Sequence, residues 1–528
     1  MASQPKRAPN FQALHSIIIF VFVIILIPFL SSSDSAVARA SPATNTVAKQ
    51  SEAVALLKWK ASLDNQTQSL LSSWNETSHC TWVGIGCNDA SKVTNLTLDS
   101  IGLRGTLSGL NFSSLPHLVK LDLSNNLIYG TIPSQIGSLS RLASLNMSVN
   151  HLSGTIPTDI GMLRSLVELD LSTNKLTGSI PASIENLRNL TTLYLYENSL
   201  SGSIPQEVGL LRSLTALALY RNNFMGSIPA SIGNLTNLTM LILYENSLSG
   251  SIPQEVGLLS SLIDLALSTN NLTGSIPTSI GNLTNLTTLY LHENSLSGSI
   301  PQEVGLLRSL PALALYTNNL TGSIPTSIGN LTNLTTLYLH ENSLSGSIPQ
   351  EVGLLRSLTA LALYTNNLTG SIPTSIRNLT NLTTLYLYEN SLSGSIPQEV
   401  GLLRSLTALA LYTNNLTGSI PASIVEMCNG WVVWLLAGAS YISGIDWFVV
   451  VSVCGSVSLF NSSVRRAKRF VGLSIEAVID GANLRICLKL HLISDRRLKV
   501  GNALHLKVCV SLSHRLPTPV KLIFWRPK

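Results

Sequence analysis

The sequence predicts an α/β solenoid in which about fourteen coils, each a 24-residue repeat, build one parallel sheet, preceded by a helical N-terminal cap. Ile-Pro pairs recur with this 24-residue period from Ile132-Pro133 to Ile420-Pro421, and asparagines keep the same step from Asn126 to Asn414. A short fixed period is typical of repeat architectures, in which each coil buries its apolar side chains only against neighbouring coils. The 528 residues therefore indicate one repeat array rather than several globular domains.

Each coil has the register of a leucine-rich repeat, L-x-x-L-x-L-x-x-N-x-L-x-G-x-I-P, as in residues 142–157. The alternation around Leu145 and Met147 has the period of a strand, so these two side chains should point into the coil. The asparagine follows the strand, where the chain turns and leaves backbone groups that the sheet cannot pair. Because an amide both donates and accepts, we predict a ladder of thirteen asparagines: Asn126, Asn150, Asn174, Asn198, Asn222, Asn246, Asn270, Asn294, Asn318, Asn342, Asn366, Asn390 and Asn414.

The N-terminus predicts export. Lys6 and Arg7 precede the apolar run 17–30, which is short for a membrane span, and small residues follow around Ala38. We interpret residues 1–40 as a signal peptide, with an uncleaved anchor as the alternative. Export would make the Asn-x-Ser/Thr sites meaningful as glycosylation candidates: Asn65, Asn75, Asn95, Asn111, Asn146, Asn234, Asn271, Asn319, Asn367 and Asn415.

Residues 50–90 are predicted to cap the first coil. An amphipathic helical pattern spans 52–63, and the apolar residues Leu70, Leu71 and Trp74 follow as part of the cap core. Cys80 and Cys87 bracket a short segment just before the repeats. In an exported chain this pair indicates a disulfide rather than a metal site, since no further metal-ligating residues stand nearby in the sequence.

The cap and coils together carry a resemblance. The cap reads E-A-V-A-L-L-K-W-K-A-S-L, L-L-S-S-W-N and C-x-W-x-G-I-x-C, and the repeats at 93–426 read L-x-G-x-I-P. From Glu52 to Glu426 these motifs resemble the ectodomains of plant leucine-rich-repeat receptor-like kinases. The resemblance implies a curved, twisted solenoid with its parallel sheet on the concave face, used outside the cell to bind peptides or partner receptors.

The kinase of that family has no counterpart in this sequence. There is no G-x-G-x-x-G with a V-A-I-K-like strand, no H-R-D and no D-F-G. We therefore expect neither an enzyme nor a cofactor. Nucleic-acid binding is not expected either, because no basic stripe follows the array: residues 465–528 carry +11, and the rest of the chain carries −5.

From residue 187 onward two coil types alternate, which makes a 48-residue unit and builds columns of tyrosine, histidine and glutamate. An aromatic and acidic groove would suit an extended peptide that carries Lys or Arg. Fourteen strands at ~4.7 Å make a sheet roughly 60 Å long, enough for a dozen-residue peptide of about 40 Å. Duplication alone could also have copied these residues into columns. The predicted ligand-binding residues are Tyr194, Tyr196, Glu197, Tyr244, Glu245, Tyr290, His292, Glu293, Tyr338, His340, Glu341, Tyr386, Tyr388 and Glu389.

The residues after Glu426 leave the repeat pattern. Residues 427–464 are a candidate transmembrane segment, because only Asp446 is charged between Trp431 and Phe460 and basic residues follow. Residues 465–528 form a basic tail. A soluble C-terminal cap and the translated remainder of a truncated gene model are the alternatives for this region.

The sequence thus predicts a plant extracellular recognition protein without its own kinase, at the plasma membrane as a single-pass type I protein or in the cell wall. Its expected partners are an extracellular peptide or protein, a co-receptor or receptor kinase, and a membrane if the span exists. The alternatives are a secreted protein resembling polygalacturonase-inhibiting proteins, and a truncated fragment of a receptor kinase.

Overall fold

The structure is a computed structural model that describes residues 44–75, 78–426, 434–437, 447–452, 456–461, 471–480, 483–492 and 506–512. Side chains are described for 52–75 and 78–424. The chain divides into two compact units, 1–48 and 49–528, and the features below belong to the second. The predicted signal peptide, residues 1–40, lies outside the described residues.

The cap contains two helices, Thr44–Ser62 and Asn65–Leu70, and a 3-10 turn, His79–Thr81. The Asp64 carboxylate accepts a hydrogen bond of 2.7 Å from the Thr67 backbone N–H, which begins the second helix and lowers the pKa of Asp64. Trp59, Trp74 and Trp82 pack together beneath the helices, with the last two rings stacked at 5.5 Å. Their burial closes the apolar end of the first coil.

Cys80 and Cys87 form a disulfide in the cap. Among the described residues they make the one group of three candidate metal ligands, together with His79. The disulfide removes both thiolates, so this group cannot act as a metal site. Leu70, which the apolar pattern assigned to the cap core, is instead 43% exposed, because it ends the second helix on the solvent side.

The long sheet contains fifteen strands in the described part of the chain, and all but the first are parallel. The first strand comes from the cap and the other fourteen come one from each coil, which confirms the predicted solenoid. The strands are Ile85–Cys87, Val93–Thr97, Lys120–Asp122, Ser144–Asn146, Glu168–Asp170, Thr192–Tyr194, Ala216–Ala218, Met240–Ile242, Asp264–Ala266, Thr288–Tyr290, Ala312–Ala314, Thr336–Tyr338, Ala360–Ala362, Thr384–Tyr386 and Ala408–Ala410.

A second set of parallel strands follows the turn in each coil. Eight form one sheet: Arg104–Gly105, Leu127–Gly130, His151–Thr155, Lys175–Gly178, Ser199–Gly202, Asn223–Gly226, Ser247–Ser251 and Asn271–Thr273. The remaining strands form three pairs: Ser297–Ser299 with Asn319–Thr321, Ser345–Ser347 with Asn367–Thr369, and Ser393–Ser395 with Asn415–Thr417. The coil glycine has a positive φ, +74° at Gly154, where a β-carbon would meet a Thr131 methyl group at 2.9 Å.

The third side of a coil is a single 3-10 turn, which begins after Asn111 in the first coil and after the coil proline in the others. Pro301, for example, has φ −68° and precedes Gln302–Leu306. The turns are Phe112–Ser114, Ser134–Ser138, Thr158–Met162, Ala182–Asn186, Gln206–Leu210, Ala230–Asn234, Gln254–Leu258, Thr278–Asn282, Gln302–Leu306, Thr326–Asn330, Gln350–Leu354, Thr374–Asn378 and Gln398–Leu402, with a short helix Ala422–Glu426 after the last coil.

The core is a continuous stack of leucine and isoleucine, with the asparagine ladder along one edge. At one rung, Asn318 Nδ2 donates to the carbonyls of Leu315 and Tyr316 in its own turn and to Leu291 in the preceding coil. Its Oδ1 accepts from the Leu296 backbone N–H at 2.9 Å. The same pattern repeats from Asn126 to Asn414. One side chain therefore satisfies both its own turn and the neighbouring coil.

Beyond Glu426 the structure describes two three-stranded antiparallel sheets. The first contains Trp434–Ala437, Trp447–Ser452 and Ser456–Asn461, within the candidate transmembrane segment 427–464; the second contains Val471–Asp480, Asn483–Leu492 and Leu506–Leu512, within the basic tail. None of the helices in the described residues combines the length and apolar character needed to cross a bilayer.

Candidate functional site

The predicted site lies on the solvent-exposed face of the long sheet, which is the face that the resemblance predicts to be concave. It is called the outer face below. One column of side chains on it forms an aromatic ladder: Tyr196, Tyr220, Tyr244, His292, Tyr316, His340, Tyr364, Tyr388 and Tyr412. Consecutive rings stack nearly parallel, 4.4 Å apart between Tyr196 and Tyr220 and 4.2 Å apart between His340 and Tyr364. The parallel register of the strands brings equivalent residues of neighbouring coils to this spacing.

A second column supplies four more tyrosines, Tyr194, Tyr290, Tyr338 and Tyr386, separated by smaller residues. Each contacts the ladder from the side; the Tyr338 ring meets Tyr316 at 6.4 Å and His340 at 5.8 Å, both edge to face. Since the ladder rings cover one another's faces, the outer face presents mostly ring edges and phenolic hydroxyls to solvent. Such a surface offers contact area with little side-chain freedom to lose on binding.

Burial in the ladder shifts the pKa of its members. It raises the pKa of Tyr220 and Tyr388 above the ordinary value of 10, so both phenols stay protonated at physiological pH. It lowers the pKa of His292 below 6.5 and that of His340 to about 4, which keeps both imidazoles neutral. The Nδ1 atoms of both histidines are buried without a hydrogen-bond partner within the described part of the protein.

The glutamates form a third column beside the ladder: Glu197, Glu245, Glu293, Glu341 and Glu389. Each has a left-handed backbone conformation, with φ between +52° and +55°. The chain turns at this position, one residue before the asparagine that belongs to the asparagine ladder of the core. The threonine of the preceding coil orients most of these carboxylates; Thr269 donates to Glu293 at 3.0 Å and Thr317 to Glu341 at 2.9 Å.

Arg221 divides the acidic column into two parts. Its guanidinium donates to Glu197 at 2.8 Å and to Glu245 at 3.0 Å, which compensates both charges and raises the pKa of Arg221. Within residues 52–75 and 78–424, Glu293 and Glu341 form no ion pair. Within the glutamate column, the two carboxylates without an ion pair therefore lie on the C-terminal side of Arg221.

Most of the glycosylation candidates are exposed in the structure. Asn65, Asn75, Asn95, Asn111, Asn234, Asn271, Asn319, Asn367 and Asn415 are exposed, and these positions leave room for a glycan. Asn146 differs: it is half-buried on the outer face, and its Oδ1 accepts from the backbone and hydroxyl of Ser148. Asn146 is therefore the least exposed of the ten candidates.

The columns alone did not reveal four features. Two of them, the bridging role of Arg221 and the threonine donors, depend on contacts between neighbouring coils, although the coil period predicts which residues are neighbours. The third is a concavity of about 650 Å³ on the second sheet, lined by Arg104, Tyr129, His151 and Lys175 among others. The fourth is the break in the aromatic ladder at Ser268, which the repeat register alone could have shown.

Comparisons with known proteins identify the family. Models of the leucine-rich repeat region match 254–366 and 313–430, the leucine-rich repeat N-terminal domain matches 49–88, and leucine-rich repeat models match 117–139, 141–163 and 164–224. A probable leucine-rich repeat receptor-like protein kinase of Arabidopsis thaliana is 48% identical over 94 residues, 16% of this chain and 8% of that protein. The MDIS1-interacting receptor like kinase 2 of the same plant is 49% identical over 86 residues, which are 15% of this chain and 8% of that protein. The aligned segments thus span less than a tenth of these relatives.

Two solved structures resemble most of the described solenoid. The complex of PEPR1 with AtPEP1 has 39% identity and a TM-score of 0.69, over 75% of this chain and 55% of that one. The ectodomain of the Arabidopsis receptor kinase HAESA, solved with an IDA peptide hormone ligand, has 34% identity and a TM-score of 0.58. The match covers 74% of this chain and 70% of the HAESA chain. With this coverage, and with the cap and coils described above, the chain belongs to the leucine-rich-repeat ectodomain family of plant receptor kinases.

Proposed function

We propose that this chain is an extracellular recognition module that binds an extended basic peptide along the outer face of its long sheet. The observation that supports this most directly is the aromatic ladder flanked by Glu293 and Glu341, which combines contact area with negative charge that Arg221 does not compensate. The PEPR1 and HAESA structures hold peptide ligands in the same fold.

We further propose that the chain has no catalytic activity and signals through a partner receptor kinase or co-receptor. One HAESA structure contains both the peptide and the co-receptor SERK1, which supports this type of assembly. Delivery through the secretory pathway by residues 1–40 would place the repeats outside the cell, either anchored by residues 427–464 or free in the cell wall. Resistance of the full-length tagged protein to alkaline carbonate extraction would distinguish these two locations.

The proposed function is tested by removing charge without changing shape. The double variant Glu293→Gln, Glu341→Gln should weaken binding of a Lys- or Arg-rich dodecamer from a displayed library by about three- to tenfold, since each exposed charge pair contributes roughly 0.2–1 kcal/mol. Binding of the wild type should also weaken with added salt.

The matched control is Glu303→Gln, Glu351→Gln, which removes two carboxylates with the same 48-residue spacing from the 3-10 turns rather than from the outer face. It should leave affinity unchanged. Equal affinity of both double variants for every selected peptide would contradict an acidic binding groove.

A further inference from the structure

The aromatic ladder lacks one rung, and the gap forms a small notch. Between Tyr244 and His292 the ladder position is Ser268, and the adjacent position in the second column is Ala266. Both small side chains lie at the bottom of the outer face, 5% and 3% exposed. The notch therefore has Ala266 and Ser268 as its floor and the rings of Tyr244 and His292 as its walls.

The width of the notch matches one planar group. Stacked neighbours in the ladder are 4.2–4.5 Å apart. Two steps of a parallel sheet separate the planes of Tyr244 and His292 by roughly 9 to 10 Å. A planar group placed midway would meet each ring at about the spacing that the ladder already uses.

Tyr290 borders the notch. The second-column rings of Tyr338 and Tyr386 each pack against the ladder ring of the preceding coil, Tyr316 and Tyr364, at 6.4 Å. The corresponding neighbour of Tyr290 is Ser268, and Tyr290 is 39% exposed whereas the other two are half-buried. The side of Tyr290 that faces the notch is thus left to solvent.

The rim of the notch carries negative charge. Glu293 lies beside His292 and accepts from the Thr269 hydroxyl, next to Ser268, at 3.0 Å. Asp264 lies on the same face but roughly 13 Å from Ser268 along the strand, where it accepts from the Thr288 hydroxyl at 2.6 Å. Within the side chains described for this array, neither carboxylate forms an ion pair. On the other side, Glu245 is already paired with Arg221.

The related coils differ from the notch coil at both positions. At the ladder position, the coils of the same type carry Tyr220, Tyr316, Tyr364 and Tyr412, whereas the earlier coil at 164–172 carries serine, as the notch coil does. At the position of Asp264 the same coils carry alanine, at 216, 312, 360 and 408. Among its four departures from these copies, at 260, 263, 264 and 268, the notch coil therefore lacks a ring and carries an additional carboxylate.

We propose that this notch binds the guanidinium group of an arginine side chain, stacked between Tyr244 and His292 and paired with Glu293. The proposal deepens the proposed function, because it assigns one residue of the basic peptide to one place on the outer face. A guanidinium is planar, stacks on aromatic faces and pairs with carboxylates, whereas a lysine ammonium is a strongly hydrated point charge. A neutral aromatic ring would fit the width but would leave the acidic rim without a counter-charge.

The test uses single-residue probes on the full secreted chain. N-acetyl-arginine amide is titrated while the His292 imidazole signal is followed by NMR, with that signal assigned by its loss in His292→Tyr. N-acetyl-citrulline amide has the same shape without the charge, and N-acetyl-lysine amide has the charge without the plane. We expect a saturable shift with arginine, and at least about threefold weaker binding of the other two.

Ser268→Tyr should fill the notch with the residue that the related coils carry, and should weaken arginine binding at least about tenfold without lowering the thermal midpoint. Ser172→Tyr adds a tyrosine at the same register beside Tyr196 and leaves the notch open, so it should bind like the wild type. Equal binding of the three probes, no shift of His292, or retained binding in Ser268→Tyr would each overturn the assignment.

These outcomes are separate from those of the peptide experiment. Arginine binding that Ser268→Tyr abolishes would support the notch even if no library peptide were captured. Peptide capture that depends on Glu293 and Glu341 but not on Ser268→Tyr would uphold the proposed function and reject the notch.

Discussion

Asn318 offers the most direct test of how the coils are held together. Its amide is buried, accepts from Leu296 N–H at 2.9 Å and donates to the Leu291 carbonyl at 3.0 Å, so it satisfies two backbone groups of the preceding coil. In Asn318→Ala the Leu296 N–H loses its partner inside the core, whereas the Leu291 carbonyl keeps a hydrogen bond from Asn294 Nδ2. At about 1–3 kcal/mol for the unsatisfied donor and about 0.5–1.5 kcal/mol for the lost hydrogen bond to Leu291, the variant should lose about 1.5–4.5 kcal/mol of unfolding free energy.

Asn318→Asp makes the test sharper because the side chain keeps its size. The carboxylate can still accept from Leu296 N–H, but it places negative charge against the carbonyl oxygens of Leu291, Leu315 and Tyr316, to which the amide donated. We expect this variant to be at least as destabilised as Asn318→Ala, because a buried charge that has one donor and faces three carbonyl oxygens costs more than a missing hydrogen bond.

Urea unfolding gives the loss of free energy, and hydrogen exchange followed by mass spectrometry locates it. Protection should fall in the coils around 288–342 and stay unchanged in the coils around 120–174, since each coil contacts only its neighbours. Asn319→Ala, at an exposed position in the same turn, is the control, with glycans removed from all proteins. An Asn318→Asp protein as stable as this control would refute the account of the ladder.

Two further predictions concern the cap and the histidines. The double variant Cys80→Ser, Cys87→Ser opens an eight-residue loop, and the lost restriction of the unfolded chain should lower the stability of the cap by about 2.5 kcal/mol. Hydrogen-exchange protection of residues 52–98, compared with that of the coils, measures this loss. Unchanged protection of the cap would contradict the prediction. Folding lowers the pKa of His340 from 6.5 to about 4, because burial disfavours the charged imidazole, so the unfolded chain binds the proton more tightly. The unfolding free energy should therefore fall by about 1–2 kcal/mol, after solvent screening, as the pH is lowered from 6.5 towards 4. His340→Tyr should reduce the difference between urea midpoints at pH 7 and 4.5, and an unaltered difference would argue against this titration.

The sequence predicts the solenoid well because every coil repeats the same physical problem. Asn318 and Gly154 stand at register positions where a turn needs an amide or a positive φ, and the 24-residue period marks those positions without any knowledge of three-dimensional contacts. The cap was predicted for the same reason, since its apolar face and its cysteine pair are local in sequence. Leu70 is the exception, because the helix end that exposes it depends on packing.

The site was only partly predictable. The period places Tyr196, His292 and Glu293 on one surface, but it does not say that the rings stack, that Arg221 neutralises two glutamates or that Thr269 orients a third. Those facts depend on side-chain rotamers across neighbouring coils. Reading each column for its exceptions as well as for its repeats would have drawn attention to Ser268.

The exception at Ser268 bears on how the columns of tyrosine, histidine and glutamate on the outer face arose. If duplication alone had produced them, every copy of a coil would carry the same outward residues. The coil at 260–270 departs from its copies at Ser260, Ile263, Asp264 and Ser268, and the last of these opens the notch in the aromatic ladder. The regular ladder is accounted for by copying and stacking, so the place where it stops is the more informative part of the surface about a ligand.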